Sequence, residues 1–477
     1  MARLQTADLA GLAARGIAVP AFARDGLTPG VVHLGLGAFH RAHQAMVFDA
    51  LLQQGDARWG VWGVAMRSTQ LADDLAAQQG LYAVQIASHE GTRWQVPGAL
   101  LRTSVLAREP QQVVEAIAAP GTRWLTLTVT EKAYTPALAG VIVQGLALRQ
   151  ARGLPGLTIA SCDNLSDNGR RLQALCLEAA RNTDPALTRW IAASCAFPNS
   201  MVDRIVPATT PARLEAAREA LGVEDRGALG TEGFWEWVIE HRFVDDSDAA
   251  LLAGAGVTVV QDVLPYEEAK LRMLNGSHSA MACIGAVAGL PVISDCISQP
   301  AIRAFIHALM TDEVAPHLSR PDWADYRDAL LARFANPALQ HSVHQIATDS
   351  SQKIPQRWPP SAVRQLHQDQ PFEHLAFAAA AWMRYLLGVD ERGQAYTVND
   401  PMAATLQPLA RLHAADASAC VQALSAFPAV WGEVLCSHAL WQSHVAHWLV
   451  QIRSLGVLAA LADLNARHAV THTPVTP

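Results

Sequence analysis

Short apolar runs alternate with helical spacing in the first half of the chain. Residues 31–34 form an apolar run that leads directly into a glycine turn, and residues 42–53 then repeat apolar side chains at helical intervals. A second apolar run follows at 61–66. Strand, glycine turn, helix and strand in this order are typical of the opening βαβ unit of a nucleotide-binding sheet. Two further runs, 124–130 and 157–161, end in polar residues, as buried parallel strands do at their carboxyl ends.

The pattern changes near residue 265, after which the β-branched runs disappear and helical spacing prevails. An α/β domain followed by a mainly helical one is therefore expected. We predict a Rossmann-type dinucleotide-binding domain over residues 1–262 and a mainly α-helical domain over residues 263–477. The predicted helices of this second domain cover residues 267–285, 298–310, 323–334, 362–368, 376–387 and 439–468.

Composition and charge limit the kinds of partner that the chain can bind. Of its 477 residues 51% are hydrophobic, so large cores can form. The formal net charge is −7, and no clustered run of Lys and Arg is present. Because neutralising phosphates requires such clusters, we expect neither nucleic acid nor an anionic membrane as a partner. A small molecule is the partner that this composition favours.

The cysteines and the apolar segments indicate the compartment. Seven scattered cysteines without C-x-x-C spacing favour a reducing environment over a disulfide framework or a zinc site. The N-terminal residues lack the uninterrupted apolar segment of a signal peptide. The most apolar stretch, 279–293, is shorter than a membrane-spanning helix requires. We therefore expect a cytoplasmic protein without a metal, either a monomer or a small homo-oligomer.

The glycine turn is the first candidate for binding chemistry. Gly35 and Gly37 would let the backbone bend tightly and approach a pyrophosphate at the N-terminus of the next helix. His40 stands where the usual fingerprint has its third glycine, so an ordinary turn is the alternative. An acidic residue after the second strand would bind the ribose of NAD, but Arg67 and Ser68 follow that strand. Arg67 could stack on adenine or accept a 2′-phosphate, which leaves NADP open beside NAD, or it could be a solvated arginine.

The second candidate is a helix that carries Lys270, Asn275 and His278 among apolar residues. At about 100° per residue, the three side chains fall within a sector of about 140°. Polar groups embedded in an apolar helix must be hydrogen-bonded or functional. A buried lysine readily serves as a proton acceptor, and an asparagine amide can donate to a developing alkoxide. A surface lysine beside a structural Asn–His pair is the alternative.

Two polar turns follow apparent strands. Asn164 follows the strand at 157–161, and the carboxyl ends of parallel strands line the ligand crevice of an open α/β sheet. Asn164 is therefore placed to face a substrate. Asp203 lies in the second turn, where it could support Lys270, although an internal ion pair with Arg204 is the better explanation of this turn by itself.

Several stretches of the chain, taken together, resemble the long-chain mannitol dehydrogenase family, from about residue 28 to about residue 445. The most specific is the K-x4-N-x2-H motif of Lys270, Asn275 and His278. The resemblance implies a Rossmann-type domain, a helical C-terminal domain and metal-free hydride transfer between NAD(H) and a secondary alcohol. The stretches that carry it are residues 35–43, 126–132, 161–164, 197–204 and 270–278.

The resemblance also implies roles for individual residues. Lys270 would be the general acid and base, and Asn164 and Asn275 would bind the oxyanion. His278 and Asp203 would contact the substrate or the lysine. The cofactor would lie against residues that follow three of the predicted strands, namely Gly35, Gly37, Ala38, Phe39, Arg67 and Glu131.

Within this family, further segments resemble the fructuronate reductase branch, whose substrates are sugar acids. The resemblance implies reduction of the D-fructuronate to D-mannonate type, with Lys353 and Arg357 holding the substrate carboxylate. An exposed basic loop is the alternative for these two residues. Gln345, a further substrate-binding candidate, stands where mannitol dehydrogenases tend to carry arginine. The segments concerned are 130–132, 263–275, 336–339, 351–357 and 381–390.

Two departures from the family pattern bear on the substrate. After Tyr134 the chain continues directly into the next apolar segment, where relatives usually have an insertion, and Ser350 replaces a common glycine. A polyol dehydrogenase acting on mannitol or arabinitol therefore remains an alternative. A non-catalytic, nucleotide-sensing protein is the alternative from another class.

Overall fold

The computed structural model describes residues 2–88, 91–337 and 341–471. Ala338 and Leu339, which belong to one of the resembling segments, lie outside the described residues. The chain divides into two compact units, Met1–Leu264 and Pro265–Pro477.

A parallel sheet organises the N-terminal unit, with its strands in the order β5-β2-β1-β6-β7. This is the strand order of a Rossmann-type sheet, in which the order reverses beside β1, so the predicted fold class is confirmed. Two three-stranded sheets, β11-β10-β8 and β4-β3-β9, complete the unit. The strands are β1 (Pro29–Leu34), β2 (Gly60–Ala65), β3 (Val84–Ser88), β4 (Gly91–Gln95), β5 (Leu100–Val105), β6 (Trp124–Leu127), β7 (Thr158–Ser161), β8 (Ser200–Asp203), β9 (Leu229–Glu232), β10 (Glu236–Glu240) and β11 (Thr258–Val260).

The parallel sheet is buried on both faces, which explains why its strands are continuous apolar runs. Val31 packs into one hydrophobic cluster, whereas Val32 and Leu34 pack into the other. This alternation follows from the two-residue period of side chains along a strand. The sheet edge that carries the glycine turn is thus fixed by cores on both sides.

The helices of the N-terminal unit include one difference from the sequence-based expectation. The single helix expected over residues 42–53 is wrong, because the segment forms two helices that meet at His43 (φ −123°, ψ −90°). The helices are α1 (Leu9–Ala14), α2 (Ala38–Ala42), α3 (Gln44–Gln53), α4 (Thr69–Ala77), α5 (Pro110–Ile117), α6 (Pro136–Ala151), α7 (Asn168–Arg181), α8 (Pro185–Ser194), α9 (Pro211–Leu221) and α10 (Asp248–Gly254).

The C-terminal unit is mainly helical. Two short segments, Lys270–Asn275 and Leu309–Val314, are π-helical. The α-helices are α11 (Leu264–Ala269), α12 (Gly276–Ala288), α13 (Ile293–Ile297), α14 (Pro300–Ala308), α15 (Trp323–Phe334), α16 (Val343–Ala347), α17 (Ser350–Lys353), α18 (Pro359–His367), α19 (Glu373–Tyr385), α20 (Ala403–Leu412), α21 (Ala417–Ser425), α22 (Pro428–Ser437), α23 (Ala439–Leu455) and α24 (Val457–Thr471).

Two of the long helices expected in this unit are interrupted. The helix expected over residues 267–285 contains the π-helical turn between α11 and α12. The helix expected over residues 439–468 is split by Gly456, whose φ of +86° is a conformation that L side chains rarely adopt. By contrast, α15 spans the predicted residues 323–334.

The most apolar stretch of the chain forms the core of the C-terminal unit. Every residue of α12 is buried, and this helix packs against α16 and α19. Among the described residues, no single helix has the length and apolar character needed to span a membrane. Only α21 and α22 together meet that criterion by length and composition, and they are bent by 118° relative to each other.

Candidate active site

The glycine turn follows β1 at the centre of the parallel sheet. The amides of Gly35 and Leu36 both donate to the Val64 carbonyl of the neighbouring strand, at 2.8 and 3.0 Å. Gly35 has a φ of +106°, and a Cβ there would lie 2.1 Å from the Thr128 carbonyl oxygen. Glycine is therefore required at this position by both conformation and space.

Gly37 and the first residues of α2 fit a dinucleotide pyrophosphate. A Cβ on Gly37 would meet only the Gly35 carbonyl oxygen, at 3.8 Å, so the space beside the turn is open. Within the described residues, the amides of Ala38 and Phe39 make no hydrogen bond. These amides point out of the first turn of α2, where a phosphate can accept from them. Gly37, Ala38 and Phe39 would therefore hold the pyrophosphate of a nicotinamide dinucleotide.

A pair of buried histidines, which the sequence pattern does not reveal, supports the glycine turn. The rings of His33 and His40 stack with centroids 3.4 Å apart. His33 bonds to the hydroxyls of Thr126 and Thr128 at 2.8 Å, which joins β1 to β6. Burial lowers the pKa of His33 to about 3. His40, which stands in place of the third glycine, is thus a packed part of the turn.

Arg67 and Glu131 lie beyond the carboxyl ends of β2 and β6, the two strands that flank β1. Both side chains are exposed. Arg67 makes no hydrogen bond or ion pair within the described part of the chain. Both positions allow contact with a cofactor, and the structure leaves Arg67 with the same three alternatives: stacking on adenine, binding a 2′-phosphate, or solvation.

The turn that carries Asn164 is held by a buried carboxylate. Asp163 accepts from the Thr130 amide at 2.7 Å and from the Tyr134 hydroxyl at 2.9 Å. Thr130 has a φ of +72°, which for a β-branched residue costs on the order of 1–3 kcal/mol. Burial raises the pKa of Asp163. Asn164 itself is exposed, next to this rigid support.

A second set of hydrogen bonds joins this turn to β8, the strand that ends at Asp203. The Asn168 amide donates to the carbonyls of Asp163 and Ser200, at 3.0 and 2.7 Å, and its oxygen accepts from the Ser200 amide. Asp203 is buried at the end of β8. The adjacent Arg204 donates to the backbone carbonyl of Glu232 at 2.9 Å.

The predicted catalytic residues span a change of helix type. Lys270–Asn275 form a π-helical turn, after which α12 continues from Gly276. A π-helix bonds residues five apart, so Lys270 and Asn275 fall near the same side of the helix. The sector of about 140° applies to a uniform α-helix, which the π-helical turn interrupts. The π-helical turn brings Lys270, Asn275 and His278 into a narrower sector.

His278 is buried within a cationic environment. Its ring centroid lies 4.7 Å from that of Phe334 and 5.8 Å from that of His341. Burial, and then the nearby charges of His341, Arg333 and Arg357, hold the pKa of His278 well below its usual range. His278 is therefore a neutral imidazole at physiological pH, able to donate one hydrogen bond and accept another.

The side chain of Arg357 is hydrogen-bonded to the helical segment that carries Asn275 and His278. Its Nη1 donates to the Asn275 carbonyl at 3.0 Å and to the Ser279 hydroxyl at 2.5 Å. The neighbouring Trp358 indole donates to the Gly276 carbonyl at 3.1 Å. Burial lowers the pKa of Arg357 to about 10. Within the described residues, no carboxylate pairs with this guanidinium.

Lys353 and Arg357 are both half-buried, so the alternative of an exposed basic loop is wrong. The Lys353 ammonium donates to the carbonyls of Thr348 and Ile346, at 2.5 and 3.3 Å. Burial and the charge of Arg357 lower the pKa of Lys353. Gln345, by contrast, is exposed on α16.

A large cavity in the C-terminal unit lies away from the predicted site residues. Its volume is about 920 Å³, and its lining includes Glu313, His374, His444 and Trp448. None of the predicted site residues lines it. Within the described part of the chain, no group of three or more His, Cys, Asp or Glu side chains is arranged to hold a metal ion.

A Rossmann-type sheet with a pyrophosphate-binding glycine turn, and a helical unit bearing Lys, Asn and His on one helix, define the class of nicotinamide-dependent dehydrogenases. Family models agree with this class: the mannitol dehydrogenase Rossmann domain matches residues 29–251, and the mannitol dehydrogenase C-terminal domain matches residues 262–450. The chain belongs to the mannitol dehydrogenase family, whose members are NAD-dependent oxidoreductases acting on CH–OH groups. The resemblance seen in the sequence, the class of enzyme and the NAD cofactor are thereby confirmed.

Similar proteins include enzymes with different substrates. D-mannonate oxidoreductase of Escherichia coli (strain K12) is 37% identical, over 94% of this chain and 98% of that protein. A mannitol 2-dehydrogenase of Phaeosphaeria nodorum is also 37% identical, over 82% of this chain and 75% of that protein. The solved Pseudomonas fluorescens mannitol 2-dehydrogenase, a ternary complex with NAD and D-mannitol, matches with a TM-score of 0.80 and 31% identity, over 98% of this chain and 100% of that chain. Identity alone therefore does not separate a sugar acid from a polyol as substrate.

Proposed function

We propose that this chain transfers a hydride between NAD(H) and the secondary alcohol or ketone carbon of a sugar acid, in a reaction of the D-fructuronate to D-mannonate type. The choice of a sugar acid as substrate is supported by the environment of Arg357. This guanidinium is half-buried beside Asn275 and has no carboxylate partner among the described residues. Removing a cation from water without a counter-charge is costly, and a substrate carboxylate would offset that cost.

The proton chemistry is assigned to Lys270. The bound nicotinamide supplies or accepts the hydride. In reduction, the Lys270 ammonium would give its proton to the oxygen that becomes the hydroxyl, and in oxidation the neutral amine would take it back. The amides of Asn164 and Asn275 would donate to that oxygen as negative charge develops on it. His278 and Asp203 would hold substrate hydroxyls or orient the lysine.

The carboxylate end of the substrate is assigned to Lys353 and Arg357. Arg357 Nε and Nη2 make no hydrogen bond within the described residues, so they remain able to form a forked contact with a carboxylate. Arg333 adds positive potential near His278. Gln345 would contact a substrate hydroxyl, since an amide cannot replace an arginine as counter-charge.

A side-by-side activity panel tests this proposal. Coenzyme-linked assays with fructuronate, tagaturonate, fructose, mannonate, mannitol and arabinitol, each with NAD(H) and NADP(H), measure kcat/KM for every pair. We expect the sugar acids to exceed the neutral sugars by at least about 100-fold, because the neutral compounds leave buried cations unpaired. Arg357→Gln should lower this preference, whereas Arg303→Gln, at an exposed position of α14, should not.

Two results would overturn the proposal in different ways. A preference for fructose, mannitol or arabinitol would assign the chain to the polyol dehydrogenases. Tight NADH binding without turnover of any compound in the panel would instead support a nucleotide-sensing protein.

A further inference from the structure

A buried carboxylate anchors the turn that carries Lys353. Asp400 Oδ2 accepts from the Ser350 hydroxyl at 3.1 Å and from the Ser351 amide at 2.8 Å. Asp400 Oδ1 accepts from the Ser351 hydroxyl at 2.6 Å and from the Met402 amide at 2.8 Å. Ser350 and Ser351 are each 2% exposed. Three hydrogen bonds to one buried carboxylate therefore fix the start of α17, and the fourth, from the Met402 amide, holds the carboxylate itself.

The Ser350 hydroxyl extends this network to α19. The indole of Trp382, which is completely buried, donates to Ser350 Oγ at 2.8 Å. An indole N–H can only donate and a carboxylate can only accept, so the direction of both hydrogen bonds is fixed. Ser350 accepts from Trp382 and donates to Asp400. A residue without a hydroxyl at position 350 would leave the indole N–H buried and unpaired.

The backbone of the turn is held in a conformation that needs such support. Asp349 lies at φ +56° and ψ 32°, in the left-handed region that non-glycine residues adopt at a cost of about 1–2 kcal/mol. Its amide donates to the Asn399 carbonyl at 3.0 Å. Asn399 therefore holds residue 349, and Asp400 holds residues 350 and 351. These hydrogen bonds together keep the turn in its strained conformation.

Lys353 is the last residue of α17, three residues after Ser350. Two of its three N–H donors are directed to the carbonyls of Thr348 and Ile346. A shift of the turn would move both carbonyls and the lysine stem together. The location of the ammonium thus depends on the anchor formed by Asp400, Ser350 and Trp382.

We propose that Ser350 and Asp400 are positioning residues that set the location of the Lys353 ammonium and thereby the selectivity for an anionic over a neutral substrate. The inference rests on the proposed function, in which Lys353 holds the substrate carboxylate. Neither residue contacts the reacting atoms, so their effect falls on substrate binding rather than on the chemical step.

The test compares Ser350→Ala and Ser350→Thr with the wild type, using fructuronate and fructose. For Ser350→Ala we expect a rise of at least about tenfold in the KM for fructuronate, with kcat, the KM for fructose and NADH affinity within about twofold. Ser350→Thr keeps the hydroxyl and should restore the KM. Ser361→Ala removes another completely buried serine hydroxyl, one on α18 and outside this network, and should leave the KM unchanged.

Two further variants separate the possible failures. Asp400→Asn places an amide NH2 against two donors and should reproduce the KM effect of Ser350→Ala; if this variant does not fold, the serine series alone decides. Lys353→Met should raise the KM for fructuronate, and adding Ser350→Ala to it should cause no further rise.

The outcomes are distinguishable. If Lys353→Met leaves the KM for fructuronate unchanged, the assignment of the carboxylate to Lys353 fails, and this inference with it. Suppose instead that Lys353→Met raises the KM for fructuronate. If Ser350→Ala then leaves that KM unchanged, or raises the KM for fructose by the same factor, only the positioning role is overturned.

Discussion

Lysine is rare in this chain, and its three positions are informative. Of 36 Lys and Arg residues, only Lys132, Lys270 and Lys353 are lysines. Arginine stays protonated under all ordinary conditions, whereas lysine can lose its proton when buried. Two of the three lysines, Lys270 and Lys353, are half-buried at predicted site positions, in a chain whose other basic residues are nearly all arginines. The rarity of lysine is visible in the composition alone, and it strengthens the prediction that Lys270 carries the proton chemistry.

His33 shows how a single residue links burial to pH. Its pKa is about 3 in the folded chain because burial penalises the charged form, whereas an unfolded histidine titrates near 6.5. Below about pH 6.5 the unfolded chain therefore binds a proton that the folded chain does not. The stability contributed by neutral His33 is fully present above that pH and is lost as the pH falls.

This difference predicts a pH-dependent effect of His33→Asn. Relative to the variant, the wild-type free energy of unfolding should fall by about 1.4 kcal/mol per pH unit below about pH 6.5, or about 2 kcal/mol at pH 5. Urea unfolding followed between pH 7.5 and pH 5 measures it. His367→Asn, at an exposed position, is the control. Parallel pH curves for wild type and His33→Asn would refute the burial argument.

At the scale of elements, the glycine turn was predicted from its pattern of strand, glycines and helix. The sequence could not show which glycine serves the fold and which serves the ligand. The structure separates them, because Gly35 has a positive φ and a close backbone neighbour, whereas Gly37 has neither.

The two glycines therefore predict different phenotypes. Gly35→Ala should destabilise the fold, since its Cβ would clash with the Thr128 carbonyl in a conformation that alanine rarely adopts. Gly37→Ala should fold normally but bind NADH at least about tenfold more weakly, because its Cβ occupies the approach of the pyrophosphate. Thermal unfolding and NADH fluorescence titration measure the two effects. Normal NADH affinity in Gly37→Ala would remove the turn from the cofactor site.

The π-helical turn is the element that sequence reasoning missed. Apolar periodicity does not distinguish one widened turn from a continuous α-helix, so angles derived from 3.6 residues per turn were misleading. One clue existed: Lys270 and Asn275 are five residues apart, which is the spacing that a π-helix aligns.

Inserting one residue into this turn should break the alignment. An alanine inserted after Leu271, which is half-buried, would place Lys270 and Asn275 six residues apart and rotate Lys270 by about 90° relative to Asn275. Turnover should fall at least about 100-fold while the helical content is retained. Deleting Leu271 instead leaves the two residues four apart in an α-helix, which keeps them on one side, so turnover should stay within about tenfold of wild type. Circular dichroism and steady-state assays measure the pair, and a fully active insertion variant would show that the alignment is unimportant.

At the scale of the whole molecule, the sequence predicted what depends on local pattern and composition. The α/β class, the central glycine turn and the lysine helix all follow from periodicity within short windows. The supports of the site do not, because they join distant parts of the chain. His33 meets Thr126 and Ser350 meets Asp400, and no spacing rule connects such pairs. The missing predictions are therefore the tertiary hydrogen bonds that hold the predicted residues in place.

The proposed proton chemistry also predicts the response of the whole enzyme to chelators. Lys270 and the amide donors meet the charge that develops on the substrate oxygen, so the proposed chemistry has no step for a Lewis acid. Prolonged incubation with EDTA should leave kcat unchanged. Loss of activity that returns on addition of Zn²⁺ would contradict this prediction.

If a proton passes through the side chain of Lys270, the turnover of Lys270→Ala and Lys270→Arg should show it. Arginine keeps the positive charge but cannot give up its proton at working pH. Both variants should therefore lose at least about 1,000-fold in kcat while binding NADH as tightly as the wild type, and Lys132→Ala should keep full turnover. Near-wild-type turnover of Lys270→Arg would show that no proton passes through this residue.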